Sequence, residues 1–498
     1  MRYSRRLILG WLMAGAADLA HAQAPGSSPR PLARVNRAGP AKGAMTKGAS
    51  VSTASAEDLI AAAKLGGEVA YLVADAATGL VLEARGGDRA MPPASTAKTI
   101  TSLYALDRLG PGYRFRTRLI ATGPISNGKI QGDLVLAGGG DPTLGTDQLA
   151  EMAAAVAARG VTGVSGGFLV WGGALPYAHE IASDQPVHVG YNPAVSGIIL
   201  NYNRVHFEWR RAGAGYRLAM DARGARFQPA VYTSDVSLAN RDRPVFSYSE
   251  KAGKEHWTVA SAALGKGGSR WLPVRHPELY AGDVFQTLAR AQGMVLPAPK
   301  VVANLPGGTV LVEKTSDDLR SVLRDMLRYS TNITAEAVGQ TASAAEGTGG
   351  ASARSMSEWL RTRAGASGAR FVDHSGLGAA SRISPRDMVG ALAGLGKTAG
   401  LRGILRHIAL RDAKGKEVRN HPIRVDAKTG TLNFVSTLAG YMTAPDGTEL
   451  VFAIFTGDVA RRQALARAEA PEGTAAWVRR SKRLQQQLIE RWAAIYGH

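Results

Sequence analysis

The sequence predicts an α/β (α+β) protein: an antiparallel sheet flanked by helices and interrupted by an inserted β-rich region. Three observations predict it. Two Val- and Leu-rich runs, "EVAYLVAD" at 68–75 and "GLVLEA" at 79–84, are joined by "AATG" and read as a strand hairpin. Between about 115 and 270 glycines multiply and short β-like runs dominate. Near the end, "RVDAKTGTLNFVSTLAGYMTAPDGTELVFAIFTGD" reads as successive antiparallel strands, with the Pro and Gly of "APDG" supplying a turn.

In chain order, Arg2, Arg5 and Arg6 precede the apolar run "LILGWLMAGA", and Ala20 and Ala22 have the spacing of a signal-peptidase site. Residues 1–22 are expected to be a cleaved signal peptide, which makes the mature protein periplasmic. Residues 23–55 are rich in Pro, Gly, Ala and Ser and carry Arg30, Arg34, Arg37, Lys42 and Lys47 without an acidic residue up to Ser55. Such a stretch cannot build a core and reads as a disordered basic linker. The main domain is expected to be discontinuous, 56–115 and 271–498, around an insertion at 116–270 of one or two small domains. After the first hairpin, "MPPASTAKTITSLYAL" reads as a helix with Ile100, Leu103 and Leu106 facing inward and Gly110 near its stop. Within the insertion, "GDLVLAGGG", "GGFLVWGG", "GIILNYN" and "YRLAMDA" read as strands. "PELYAGDVFQTLARAQGM" and the stretch 315–363 read as helical. The last segment puts Leu484, Leu488, Trp492 and Ile495 on one helical face, suited to packing on the sheet or, alternatively, to peripheral membrane contact.

Composition narrows the chemistry. Cysteine is absent, which excludes disulfides, thiol catalysis and cysteine-based metal sites. The formal charge of +20 suits an anionic partner. Nucleic acid fits poorly, because zinc-finger spacing, a basic helix and aromatic-studded basic strands are all missing. The histidines are scattered without a His-Glu-x-x-His pattern, and Gly138–Gly140 lacks the Gly-Lys-Ser/Thr of a phosphate loop, so no metal and no cofactor is expected.

Three short patterns carry chemistry. Ser95 and Lys98 lie one helical turn apart, so a hydroxyl and an amine share a face as nucleophile and base. A second pair of the same spacing, Ser126 and Lys129, encloses Asn-Gly, a hairpin signal that aims nothing at a shared site. Ser330 and Asn332 in "YSTNITAE" offer a hydroxyl and an amide at a helix start. Lys-Thr occurs at Lys98, Lys314, Lys397 and Lys428, and only at Lys428 does Gly follow within a strand run. Gly430 there would let a peptide lie along the strand edge. Ser165 in "GVSGG" matches Gly-x-Ser-x-Gly, but "FLVWGG" follows it as a strand where a hydrolase elbow needs a helix.

In this order, Ser-x-x-Lys, Ser-x-Asn and Lys-Thr-Gly are the motif set of penicillin-binding proteins and serine β-lactamases. The chain resembles the D-alanyl-D-alanine carboxypeptidase/endopeptidase family, the class C low-molecular-mass penicillin-binding proteins. The matching stretches are "MPPASTAKTITSLYAL", "GDLVLAGGGDPTL", "GYNPAVSGIILNYNRV", "MLRYSTNITAE", "DHSGLGAASRISP" and "AKTGTLNFVSTLAGY", within roughly 60 to 460. The resemblance implies a transpeptidase-like fold with domains inserted between Ser95 and Ser330. It implies cleavage of peptidoglycan stem peptides through an acyl-enzyme, and inhibition by β-lactams. Catalytic roles fall by the same resemblance on Ser95, Lys98, Ser330, Asn332 and Lys428, and substrate binding on Thr429, Gly430 and Thr431. The N–H groups of Ser95 and Thr431 would form the oxyanion hole. Lys428 and partial burial would push Lys98 toward the neutral amine. Two departures are visible: Thr331 stands where Asp is common, and Gly378-Ala379 after Leu377 displaces Arg382 from its usual place. A β-lactamase or esterase on the same fold, and a non-catalytic periplasmic wall-binding protein, are the alternatives.

Overall fold

The computed structural model describes residues 54–497 except Ala345 and Ala466. The signal peptide and all but the last two residues of the linker lie outside that range. Ser55, read as linker, instead caps a helix. Its hydroxyl accepts from the Asp58 amide while Asp58 reaches back to the Ser55 N–H, and the helix Ala56–Ala63 follows.

Six strands form the principal sheet. We label them β1 (Glu68–Asp75), β2 (Val81–Arg85), β3 (Arg406–His407), β4 (Arg424–Leu432), β5 (Val435–Thr443) and β6 (Glu449–Gly457). The order is β3-β4-β5-β6-β1-β2, antiparallel throughout. The sheet is covered on both faces, which is why β5 and β6 read as nearly continuous apolar runs. The period of two divides β1. Val69, Tyr71 and Val73 join Leu438, Phe452, Trp477, Leu484, Leu488 and Trp492 under the C-terminal helix Thr474–Tyr496. Ala70, Leu72 and Ala74 face the helices of the other layer, where small residues allow close approach. The apolar face of the C-terminal helix is therefore committed to the sheet, except at Ile495, which is 45 % exposed. Among the described residues no helix is long and apolar enough to cross a membrane.

The second layer contains two helices that matter for the site: α1 (Ala97–Leu109) and α2 (Asn332–Ala342). In α1 every residue from Ala97 to Ala105 is buried, so it is a core helix and not the amphipathic one that Ile100, Leu103 and Leu106 suggest. Gly110 caps it, as its position predicts.

A second large core surrounds a mixed five-stranded sheet, ordered 299–301, 168–171, 134–138, 116–121, 309–315. The helix Pro277–Ala291 buries Tyr280, Val284, Phe285 and Leu288 in that second core, and the last two strands of its sheet lie beyond 298. Sheet closure here joins strands far apart in sequence. Three three-stranded sheets complete the region. "GIILNYN" is not a strand there. Ile198 and Leu200 anchor one core and Ile199 another, while Asn201, Tyr202 and Asn203 take positive φ. Asn203 replaces a ladder by accepting from the Leu200 amide and donating to the Ala194 carbonyl. Ser126 and Lys129 face each other across a two-residue turn whose Asn127 and Gly128 have φ of 51° and 76°. Ser165 sits between strands 163–164 and Phe168–Trp171, so no helix follows it.

Candidate active site

The start of α1 is set by Pro93, Ala94 and the β4 edge. Ala94 has φ 46°, a left-handed conformation that costs an alanine energy and places Ser95 on the tight turn before the helix. Gly430 makes this docking possible. A Cβ there would meet the Pro93 carbonyl and the Ser95 amide nitrogen, both at 2.9 Å, besides running into the Thr437 hydroxyl. Thr437 donates to the same Pro93 carbonyl at 2.8 Å. The glycine expected to admit a substrate backbone is thus needed first to seat the segment that carries Ser95.

The five predicted side chains converge. Lys98 Nζ donates to Ser95 Oγ at 3.0 Å, to Asn332 Oδ1 at 2.7 Å and to the Ser375 carbonyl at 2.8 Å. Lys428 Nζ donates to Ser330 Oγ at 2.9 Å and to the Thr429 carbonyl at 2.7 Å. Ser330 reaches Lys428 from a left-handed C-cap position with φ 58°, and Asn332 opens α2 directly after it. Around these groups, Gly430 is buried, Thr429 half-buried and Thr431 exposed.

Burial brings the Lys98 amine down from its ordinary range to about 7, while the carboxyls of Asp373 and Glu336 pull the other way. The sequence suggests Lys428 and partial burial as joint causes. Desolvation leads, because Lys98 lies inside a helix buried on all sides. Lys428 is itself held well below its usual range, by burial first and then by the positive charges of Lys98 and Arg406.

Motif reading alone missed four residues. Glu336 lies one turn beyond Asn332 on α2. Its carboxylate accepts from the Ser375 amide at 2.9 Å and from the His374 amide at 3.2 Å. Asp373 accepts from the Gly376 amide at 2.7 Å and from the Gly378 amide. Burial raises both carboxyls, Glu336 to about 8. His374 is buried and held near 3, hence neutral, against Ser352 and Met356. The fourth is Tyr191 of the inserted region, whose carbonyl accepts from Asn332 Nδ2 at 2.9 Å and so fixes which way that amide points. The i, i+4 spacing of Asn332 and Glu336 and the run "DHSG" were the available signals. Tyr191 lies in the matching stretch "GYNPAVSGIILNYNRV", but nothing there marked its carbonyl as a partner of Asn332. Arg382 turns back on its own loop and donates to the carbonyls of Ala379 and Ser381.

A serine hydroxyl beside a buried amine, at the start of a core helix packed on a helix-covered antiparallel sheet, defines a serine acyl-enzyme peptidase of the penicillin-binding type. The chain belongs to the D-Ala-D-Ala carboxypeptidase 3 (S13) family, whose sequence profile matches residues 52–480. It is a serine-type D-alanyl-D-alanine peptidase of peptidoglycan. It is 29% identical over 446 residues to the D-alanyl-D-alanine carboxypeptidase of Actinomadura sp. (strain R39), covering 77% of this chain and 76% of that one. It is 22% identical to D-alanyl-D-alanine carboxypeptidase DacB of Haemophilus influenzae, covering 79% of this chain and 87% of the relative. The crystal structure of penicillin binding protein 4 from Haemophilus influenzae superposes with a TM-score of 0.71 at 18% identity, over 90% of this chain and 100% of that one.

Proposed function

We propose that Ser95 is the nucleophile and neutral Lys98 its general base in hydrolysis at the D-alanyl-D-alanine end of stem peptides or at their cross-links. The observation that carries this is the 3.0 Å contact between Lys98 Nζ and Ser95 Oγ, with Asn332 Oδ1 and the Ser375 carbonyl as the other two partners. A neutral amine has two N–H bonds and one lone pair. Two carbonyl-type acceptors take the N–H bonds, so the lone pair is left for the Ser95 proton. Ser95 Oγ attacks the peptide carbonyl, its proton passes to Lys98, and the oxyanion forms against the N–H groups of Ser95 and Thr431. Ser330, held by Lys428, relays a proton to the departing amine and is reprotonated from Lys98 or Lys428, so the proton taken from Ser95 ends on the leaving group. Lys428 and Thr429 hold the terminal carboxylate, and water then frees the acyl-enzyme. A β-lactam acylates Ser95 by the same step, in keeping with the β-lactam complex known for the Haemophilus influenzae protein. The proposed catalytic unit is 56–115 with 316–498, and the proposed setting is the periplasm after removal of residues 1–22.

Intact mass after exposure to benzylpenicillin, beside Ser95→Ala, tests this. A one-penicillin adduct lost in the variant supports it. An unmodified protein with intact drug defeats it, and consumption of the drug without an adduct makes the protein a β-lactamase.

A further inference from the structure

The mechanism leaves two fully buried carboxyl groups without a stated role. Glu336 and Asp373 are 3 % and 4 % exposed, and neither makes an ion pair with an Arg, Lys or His side chain among the described residues. The Asp373 charge is, after burial, a cause that raises the Glu336 carboxyl. Both spend their oxygens on backbone amides of a single turn: Glu336 on His374 and Ser375, Asp373 on Gly376 and Gly378. The middle of that turn is Ser375, whose carbonyl is one of the three partners of Lys98. Glu336 also shares a helix face with Asn332, which supplies another. Two of the three contacts of the base are thus held by elements that these acids fasten. The turn is closed from other sides too. A Cβ on Gly376 would run into the Ala94 carbonyl, and one on Gly339 into the His374 ring.

We propose that Glu336 and Asp373 form an acid pair that positions Lys98 and supplies the counter-charge for the ammonium it becomes on taking the Ser95 proton. The proposal rests on the reading of Lys98 as base. Burial raises both carboxyls and the Asp373 charge raises Glu336 further, so a second negative charge beside the first is disfavoured. When the proton leaves Ser95 Oγ and bonds to Lys98 Nζ, the new positive charge arises in a site without bulk water, and the negative charge of the pair compensates it. Ser375 links the two groups through its backbone, with its N–H on Glu336 and its carbonyl on Lys98. The other charged groups facing this cluster are Lys428 from β4 and Asp184 from the inserted region, while His374 is neutral.

The test is the second-order rate of acylation by benzylpenicillin from pH 5 to 10, whose rising limb follows deprotonation of the base in the free enzyme. Glu336→Gln/Asp373→Asn keeps the shapes and removes the charge. Its limb is expected to move down by about one pH unit, because the ammonium has lost its stabilising partner, and its plateau to fall roughly tenfold with the weaker base. A purely structural role lowers the rate at every pH and leaves the limb in place; that result overturns the proposal. If the double variant does not fold, Asp373→Asn alone carries the measurement. A downward shift there supports the pair, and an unmoved limb overturns it. The wild-type Ser95 adduct is read first, so failure of the acyl-enzyme reading is seen separately.

Discussion

Ser95–Lys98 and Ser126–Lys129 share a spacing and almost nothing else. In the first pair the serine stands at the mouth of a core helix and the amine is buried under it, 3.0 Å from the hydroxyl. In the second pair both residues are exposed and face each other across a hairpin of the inserted region. The difference teaches that the spacing supplies adjacency, whereas the surroundings supply reactivity. At Lys98 the removal of water is the cause that brings the amine toward the neutral base near neutral pH. The Lys98 pocket also presents two carbonyl-type acceptors that fix the direction of its lone pair.

The comparison is broken most severely by Ser95→Ala, which is expected to abolish the penicillin adduct and lower peptidase turnover by at least ~10⁴-fold, while Ser126→Ala leaves both unchanged. Lys98→Met comes next. Acylation rates should fall ~10²–10⁴-fold with the protein folded, against no change for Lys129→Met in the same stopped-flow assay. Gly430→Ala probes the seat of the nucleophile together with the Ser95 N–H of the oxyanion hole. Its Cβ meets the Ser95 amide nitrogen, so acylation is expected to slow about 10²-fold, with about 1–3 kcal/mol lost in urea unfolding from overpacking. The pH dependence sharpens the same point. The neutral, active amine is present above about 7 and is protonated below it, so acylation should drop about tenfold per pH unit below that value. Were the limb to lie near 10, the ordinary lysine range, Lys98 would not be the base. The smallest effect belongs to a site far from both pairs: Ser55→Ala loses a helix cap, costs about 1 kcal/mol in thermal unfolding and leaves acylation unchanged.

Strands β1, β2, β4, β5 and β6 were legible because their apolar runs and turn residues act locally. So were the turn at Asn127-Gly128 and the stop at Gly110. "GIILNYN" misled because Ile198, Ile199 and Leu200 alternate between two cores without a strand partner, and the strands near 300 and 310 went unread because they close a sheet begun at 116. In the site, Ser95, Lys98, Ser330, Asn332 and Lys428 stand in motifs that can be read off the chain. The Tyr191 carbonyl cannot, since any residue offers a carbonyl and only folding chooses which one meets Asn332.

By itself, then, the sequence determined the chemical groups and their local adjacency: a hydroxyl one turn from an amine, an amide two residues from a second hydroxyl, a glycine where a side chain would collide. Tertiary structure decided their charge states and directions. The partners of Lys98 lie 234 and 277 residues away along the chain, and burial is a property of everything packed around it. Exclusion of water is what lets the Lys98 amine lose its proton near pH 7, and no local pattern of residues excludes water alone.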